Sequence, residues 1–313
     1  MASTRFTDLV GCDRPLQLAG MGGVSSVDLA AAVSDAGGLG MLAMPEVPAP
    51  VLEASLDELA RRTSGRFGVN FLMPFLDPGC VKVAAGRAHV LEWFYGHPDP
   101  AQVSVAHGEG SLAGWQVGSA GEATAAVEAG CDYVVAQGIE AGGHIRSHAS
   151  LWSVLGEVLD AVDVPVVAAG GLGTARAVAA ALAAGADAVR IGTRFVAAVE
   201  ANAHPDYAAA LVAATAADTE LTTAFSVEWP DAPHRVLRSS IEAARALDSD
   251  TVGEIVVGNE SFPVTRLSPM MATREFRGHT GATALYAGHS VDGVRRVQPA
   301  AEIVEELLSF LPS

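Results

Sequence analysis

Between residues 16 and 191 a short apolar run, a glycine or small polar residue and an Ala-rich stretch recur in the same order, eight runs in all. The runs are 16–19, 39–42, 67–71, 103–106, 113–117, 133–136, 165–169 and 188–191. Most are apolar throughout rather than alternating, as strands covered on both faces must be. Helical stretches lie between them at 28–36, 52–62, 120–129, 151–161 and 174–184, and the turn formers of 79–102 blur the fourth. Ser25 and Ser26 can cap the first, and Gly37-Gly38 ends it. Eight consecutive βα units predict a closed (β/α)8 barrel, which usually takes ~250 residues. An open doubly wound sheet is the alternative, though it seldom needs eight parallel strands in succession.

The pattern changes after strand eight. We expect residues 1–204 to form the barrel, 205–298 a smaller, mainly helical or irregular insertion at its top, and 299–313 a helix returning to close it. Half of the 313 residues are apolar, enough for a sizeable core. With 36 acidic and 19 basic side chains the net charge is −17, and Lys82 is the sole lysine, which argues against nucleic acid as a partner. Cys12, Cys80 and Cys131 are scattered and unpaired by motif, as in a reducing compartment. No apolar run approaches the ~20 residues of a membrane helix, and residues 1–8 do not read as a signal peptide. The expected setting is the cytoplasm, without membrane contact, and the sequence allows a homodimer.

In a barrel, glycines before a strand serve folding, whereas residues just after one face the site. Gly37-Gly38-Leu39-Gly40 therefore reads as structural. Gly170-Gly171-Leu172-Gly173-Thr174 follows strand seven and Gly192-Thr193 follows strand eight, where bare backbone N–H groups make a phosphate cradle. The run 137–144, Gln-Gly-Ile-Glu-Ala-Gly-Gly-His, follows strand six and carries His144, whose ordinary pKa suits proton transfer. His148 is an alternative one turn later. Asn70 and Gln116 add uncharged hydrogen-bonding groups suited to a heteroaromatic ring, or else satisfied polar residues of a barrel layer. No metal-ligand spacing, nucleophile elbow or partnered cysteine is present, so no metal is expected and the phosphate site suits a cofactor bringing its own reactivity.

These residues resemble the FMN-dependent nitronate monooxygenases, formerly called 2-nitropropane dioxygenases. The likeness runs in order through Pro15-Leu-Gln-Leu-Ala-Gly-Met21, Ala36-Gly-Gly-Leu-Gly40, Phe67-Gly-Val-Asn70 and Gln116-Val-Gly-Ser119. It continues through Gln137 to His144, its most specific stretch, then Ala168-Ala-Gly-Gly171, Gly192-Thr-Arg-Phe195 and Ala203-His-Pro205. Leu285-Tyr-Ala-Gly288 and Pro299-Ala-Ala-Glu-Ile-Val304 complete it.

The resemblance implies FMN as cofactor, with a small nitronate or nitroalkane and O2 as substrates. It implies that Met21, Gly22 and Asn70 meet the isoalloxazine and ribityl region, and that Gln137 and Gly142 line the ring or ribityl chain. Gly171, Gly192 and Thr193 would bind the phosphate and His144 would be catalytic, with Tyr286 and His289 near the substrate. His289 stands where the family often has Gln, and Arg146 either balances an anionic substrate or is solvated. Related FMN-dependent enoyl-acyl-carrier-protein and quinone reductases share part of this pattern, so an NAD(P)H-using reductase stays open. A flavin-binding protein without turnover is the further alternative.

Overall fold

Eight short parallel strands close around one apolar core in the computed structural model, which describes residues 3–43 and 47–311. They are β1 (Leu16–Leu18), β2 (Gly40–Ala43), β3 (Phe67–Leu72), β4 (Val90–Phe94), β5 (Leu112–Val117), β6 (Tyr133–Gln137), β8 (Val166–Ala169) and β9 (Ala188–Ile191). The sheet order is β1-β9-β8-β6-β5-β4-β3-β2, and a parallel bridge from Gln17 to Leu39 joins β1 to β2 and closes the ring. The helices packed outside are α2 (Val27–Asp35), α3 (Ala49–Arg62), α4 (Pro78–Ala85), α5 (Pro100–Gly108), α6 (Ala120–Glu128), α7 (Leu151–Ala161) and α8 (Ala175–Ala183). Ser26, Ser119, Ser150 and Thr174 cap α2, α6, α7 and α8, each accepting a backbone N–H three residues on. A short α1 (Arg5–Val10) precedes β1.

One strand lies elsewhere than expected. Residues 103–106 fall inside α5, and the fourth strand is β4 at Val90–Phe94. Pro100 opens α5, with the Asp99 carboxylate accepting from Ala101, and Val103 and Ala106 are buried together on one face. That three-residue spacing is helical. The true strand, Val90-Leu91-Glu92-Trp93-Phe94, carries a carboxylate in mid-run, which broke its apolar signature. The blurred segment 79–102 accordingly holds most of α4, the whole of β4 and the start of α5.

After β9 come α9 (Thr193–Val196), α10 (Pro205–Ala213) and α11 (Arg238–Ala246), and the last helix, α12 (Ala300–Leu308), packs between α2 and α8. The segment between α9 and α12 also holds two antiparallel sheets that the sequence reading did not anticipate. One joins β10 (Thr219–Thr222) and β11 (His234–Leu237) to β7 (Gly143–His144), a two-residue strand in the loop after β6. The other joins β12 (Thr251–Val257), β13 (Glu260–Thr265) and β14 (Phe276–Gly278). Phe225, Val236, Ile241, Val252 and Phe276 form a second apolar core beneath them. No described helix is long and apolar enough to cross a membrane.

Candidate active site

The C-terminal ends of the strands open into a cavity of about 810 Å³, roofed by the segment after β9. Met21, Gly22, Asn70, Gln116, Gln137, Gly142, His144, Gly171, Gly192, Thr193 and Tyr286 all line it. His289 is half-buried and not among its lining residues, and His148 is exposed and also outside it.

Its floor is a polar network of which the sequence singled out only Asn70 and Gln116. Glu92 on β4 is fully buried and ion-paired with Arg190 on β9, itself 6% exposed. Glu92 also accepts from Asn70 Nδ2 (2.8 Å), Gln17 Nε2 (3.0 Å) and the Tyr133 hydroxyl (2.9 Å). Arg190 donates further to Gln17 Oε1 (3.2 Å) and Gln116 Oε1 (2.5 Å). Burying this charge pair is tolerable because every partner is supplied from within the barrel. Burial beside Glu92 holds the Tyr133 hydroxyl protonated, its pKa pushed far up. The available signal was one acid and one base in otherwise apolar runs, 98 residues apart.

One wall is a nest of glycines. Gly170 and Gly171 have φ of +110° and +72°, a left-handed backbone that disfavours a side chain, and a Cβ on Gly171 would come 3.2 Å from that of Glu140. A Cβ on Gly142 would sit 2.5 Å from the Gly288 nitrogen, so segments 138–142 and 285–288 pack backbone to backbone. Gly288 N donates to Thr193 Oγ1 (3.1 Å), leaving the threonine its own proton to give. Gly192 stands at the start of α9, so the loops after β8 and β9 face the cavity with little but backbone.

The other wall is aromatic and centres on His144. Its ring stacks on Trp229 at 3.8 Å between centroids, with Tyr95 edge-on at 5.9 Å and Tyr286 at 5.6 Å. The neighbouring ring of His234 lies at 5.1 Å; its Nδ1 donates to Ala232 O and its Nε2 accepts from Phe225 N, so it is neutral. Desolvation lowers the His144 pKa to about 3. Its Nε2 is buried without a hydrogen-bond partner among the described residues, as is Oε1 of Gln137, whose Nε2 donates to the His144 carbonyl (3.1 Å). β7 pairs His144 with His234 of β11 and Gly143 with Arg235, whose guanidinium holds the Ile139 carbonyl. Tyr286 gives its hydroxyl to Pro269 O (3.0 Å), so it contributes its ring rather than a proton. Arg146 is held by Glu122 (2.5 Å) and lies over the Tyr95 ring; its charge is already matched. Tyr95 and Glu228, at the cavity end of β4 and beside Trp229, have φ of +64° and +71°, strain of a kind stored at functional positions.

A glycine-lined wall, amides facing the cavity and a neutral histidine in an aromatic wall match a barrel oxidoreductase built around a flavin, the class to which comparison with known proteins assigns the chain. The family model for nitronate monooxygenase matches residues 3–79 and 79–309, and the chain belongs to that family. A solved nitroalkane oxidase from Streptomyces ansochromogenes is 31% identical with a TM-score of 0.77, over 98% of each chain. FabK from Thermotoga maritima is 29% identical with a TM-score of 0.80, over 99% of this chain and 96% of its own. A (3aS,4S,5R,7aS)-5-hydroxy-7a-methyl-1-oxo-octahydro-1H-indene-4-carboxyl-CoA dehydrogenase from Rhodococcus jostii (strain RHA1) is 34% identical over 76% of this chain. This chain spans 66% of that dehydrogenase, just under two thirds of its length.

Proposed function

We propose that this protein is an FMN-dependent nitronate monooxygenase, oxidising alkyl nitronates with O2 to carbonyl compounds and nitrite. The observation that carries the reading is His144: neutral, wedged against Trp229, with a buried unpartnered Nε2 beside the cavity. The site fits FMN. Gly171, Gly192 and Thr193 would take the phosphate, and Met21 and Gly22 the ribityl side. Asn70, Gln116, Gln137 and Gly142 would face the ring, the orphaned Gln137 Oε1 awaiting a donor. FMN supplies the capacity to take electrons from the substrate and pass them to oxygen. The chain's own residues do the rest. His144 offers a neutral nitrogen to hold or accept a proton at the substrate, and Trp229 and Tyr95 fix its plane and exclude water.

A second reading has its own support. Ile255, Val257, Met270 and Met271 add apolar side chains to the cavity lining, and FabK and the indene-carboxyl-CoA dehydrogenase are among the relatives. Such a lining would suit a reductase or dehydrogenase acting on a larger apolar substrate. Purified protein loaded with FMN separates the two. Nitrite release with oxygen uptake on adding an alkyl nitronate, without bleaching by NADH or NADPH, supports the monooxygenase. Bleaching by nicotinamide without nitrite transfers the assignment to a reductase, and a protein that takes up no FMN overturns both.

A further inference from the structure

We infer that Glu92 is a positioning residue: directly for Asn70, and through Arg190 for Gln116, it fixes which end of each amide the cavity meets, and so sets the affinity and redox balance of the flavin. The inference rests on the FMN reading above and goes beyond it to a residue that does not line the cavity.

The orientation follows from what each group can do. A carboxylate only accepts hydrogen bonds and a guanidinium only donates them. Asn70, bonded to Glu92 Oε1 at 2.8 Å, must therefore turn its NH2 to the floor. Its Oδ1 is left for the cavity, without a protein partner among the described residues. Gln116, bonded to Arg190 Nη1 at 2.5 Å, must turn its carbonyl oxygen down and leave its NH2 facing up. Gln17, bonded to Glu92 through Nε2 and to Arg190 through Oε1, can sit only one way round, and it locks the two charges in register. The cavity thus meets one acceptor, from β3, and one donor, from β5, in a fixed arrangement. A ring bearing both N–H and carbonyl groups requires such a pair.

The pair also sets charge. Arg190 lines the cavity, whereas its counter-ion lies beneath it. With Glu92 ionised, the floor is close to neutral. Without it, a positive charge stands under the cofactor and favours the electron-rich reduced form.

The test uses full-length protein loaded with FMN, read by fluorescence titration for affinity and by dye-coupled reduction for midpoint potential. Glu92→Gln is expected to weaken FMN at least tenfold and move the potential to more positive values. The double variant Glu92→Gln, Arg190→Gln removes both charges. It is expected to return the potential towards wild type while affinity stays weak, since the amides remain unlocked. Tyr133→Phe removes one buried oxygen without touching the cavity wall. Should Glu92→Gln fail to fold, it decides alone, with an expected change in the bound-flavin spectrum and FMN weakened at least twofold. Wild-type affinity, spectrum and potential in the variants that fold would overturn the inference while leaving the cofactor assignment intact. A wild-type chain that binds no FMN would instead overturn the reading beneath it.

Discussion

His144 occupies an environment in which an imidazolium is strongly disfavoured. Aromatic rings surround it, its neighbour His234 is neutral, and no carboxylate among the described residues pairs with it. On the proposed function it acts as a neutral nitrogen, and His144→Ala is expected to retain FMN while lowering turnover by roughly 10²- to 10⁴-fold, the usual range for a positioned acid or base. Unchanged nitrite release by that variant would remove His144 from the mechanism. The pH dependence follows with a definite sign. A group whose folded pKa lies near 3 stays neutral through pH 5, so kcat/KM should show no acid limb near 6.5 due to His144. The same depression contributes stability that is full above the unfolded value of about 6.5 and is lost progressively as pH falls towards 3, because only the unfolded chain takes up the proton. In urea unfolding, wild type is expected to lose more stability than His144→Phe between pH 7 and pH 5.

Among the elements, the loops after β8 and β9 illustrate what glycine makes possible. Gly171→Asp forces a side chain onto a left-handed backbone beside Glu140 and adds charge where an anion is expected. We expect a folded but colourless protein; a variant that stays fully loaded, by absorbance, would exclude this loop as the phosphate site. These loops were legible in the sequence because glycine and position after a strand carry the information locally. The hairpin β12–β13 was equally legible in principle: Gly258-Asn259 is a two-residue connection between Thr251–Val257 and Glu260–Thr265. It escapes a reading built on the barrel repeat, because the repeat ends at residue 191 and Gly253 and Pro263 interrupt the two strands. The misplaced fourth strand failed for the opposite reason, since Val103-Ser104-Val105-Ala106 matches a strand over four residues and a helix over nine. The floor network was beyond such reading, because Gln17, Asn70, Glu92, Gln116, Tyr133 and Arg190 converge only once the ring closes.

At the scale of the molecule, β4 and β9 stand on opposite sides of the eight-stranded ring, so the Glu92–Arg190 pair braces the barrel across its diameter. Arg190→Met would leave the carboxylate buried without its counter-charge. The expected loss is about 3–5 kcal/mol of unfolding free energy at neutral pH, checked by denaturant titration of the flavin-free protein. The segment after β9 has a different standing: it has a small core of its own, yet β11 supplies the strand on which His144 hangs and Trp229 the face against which it rests. Heat should exploit that division. If the smaller core loosens first, the histidine is released while the barrel still stands. Enzymatic activity would then disappear at a lower temperature than the far-ultraviolet circular dichroism of the helices, a silent state that cooling restores.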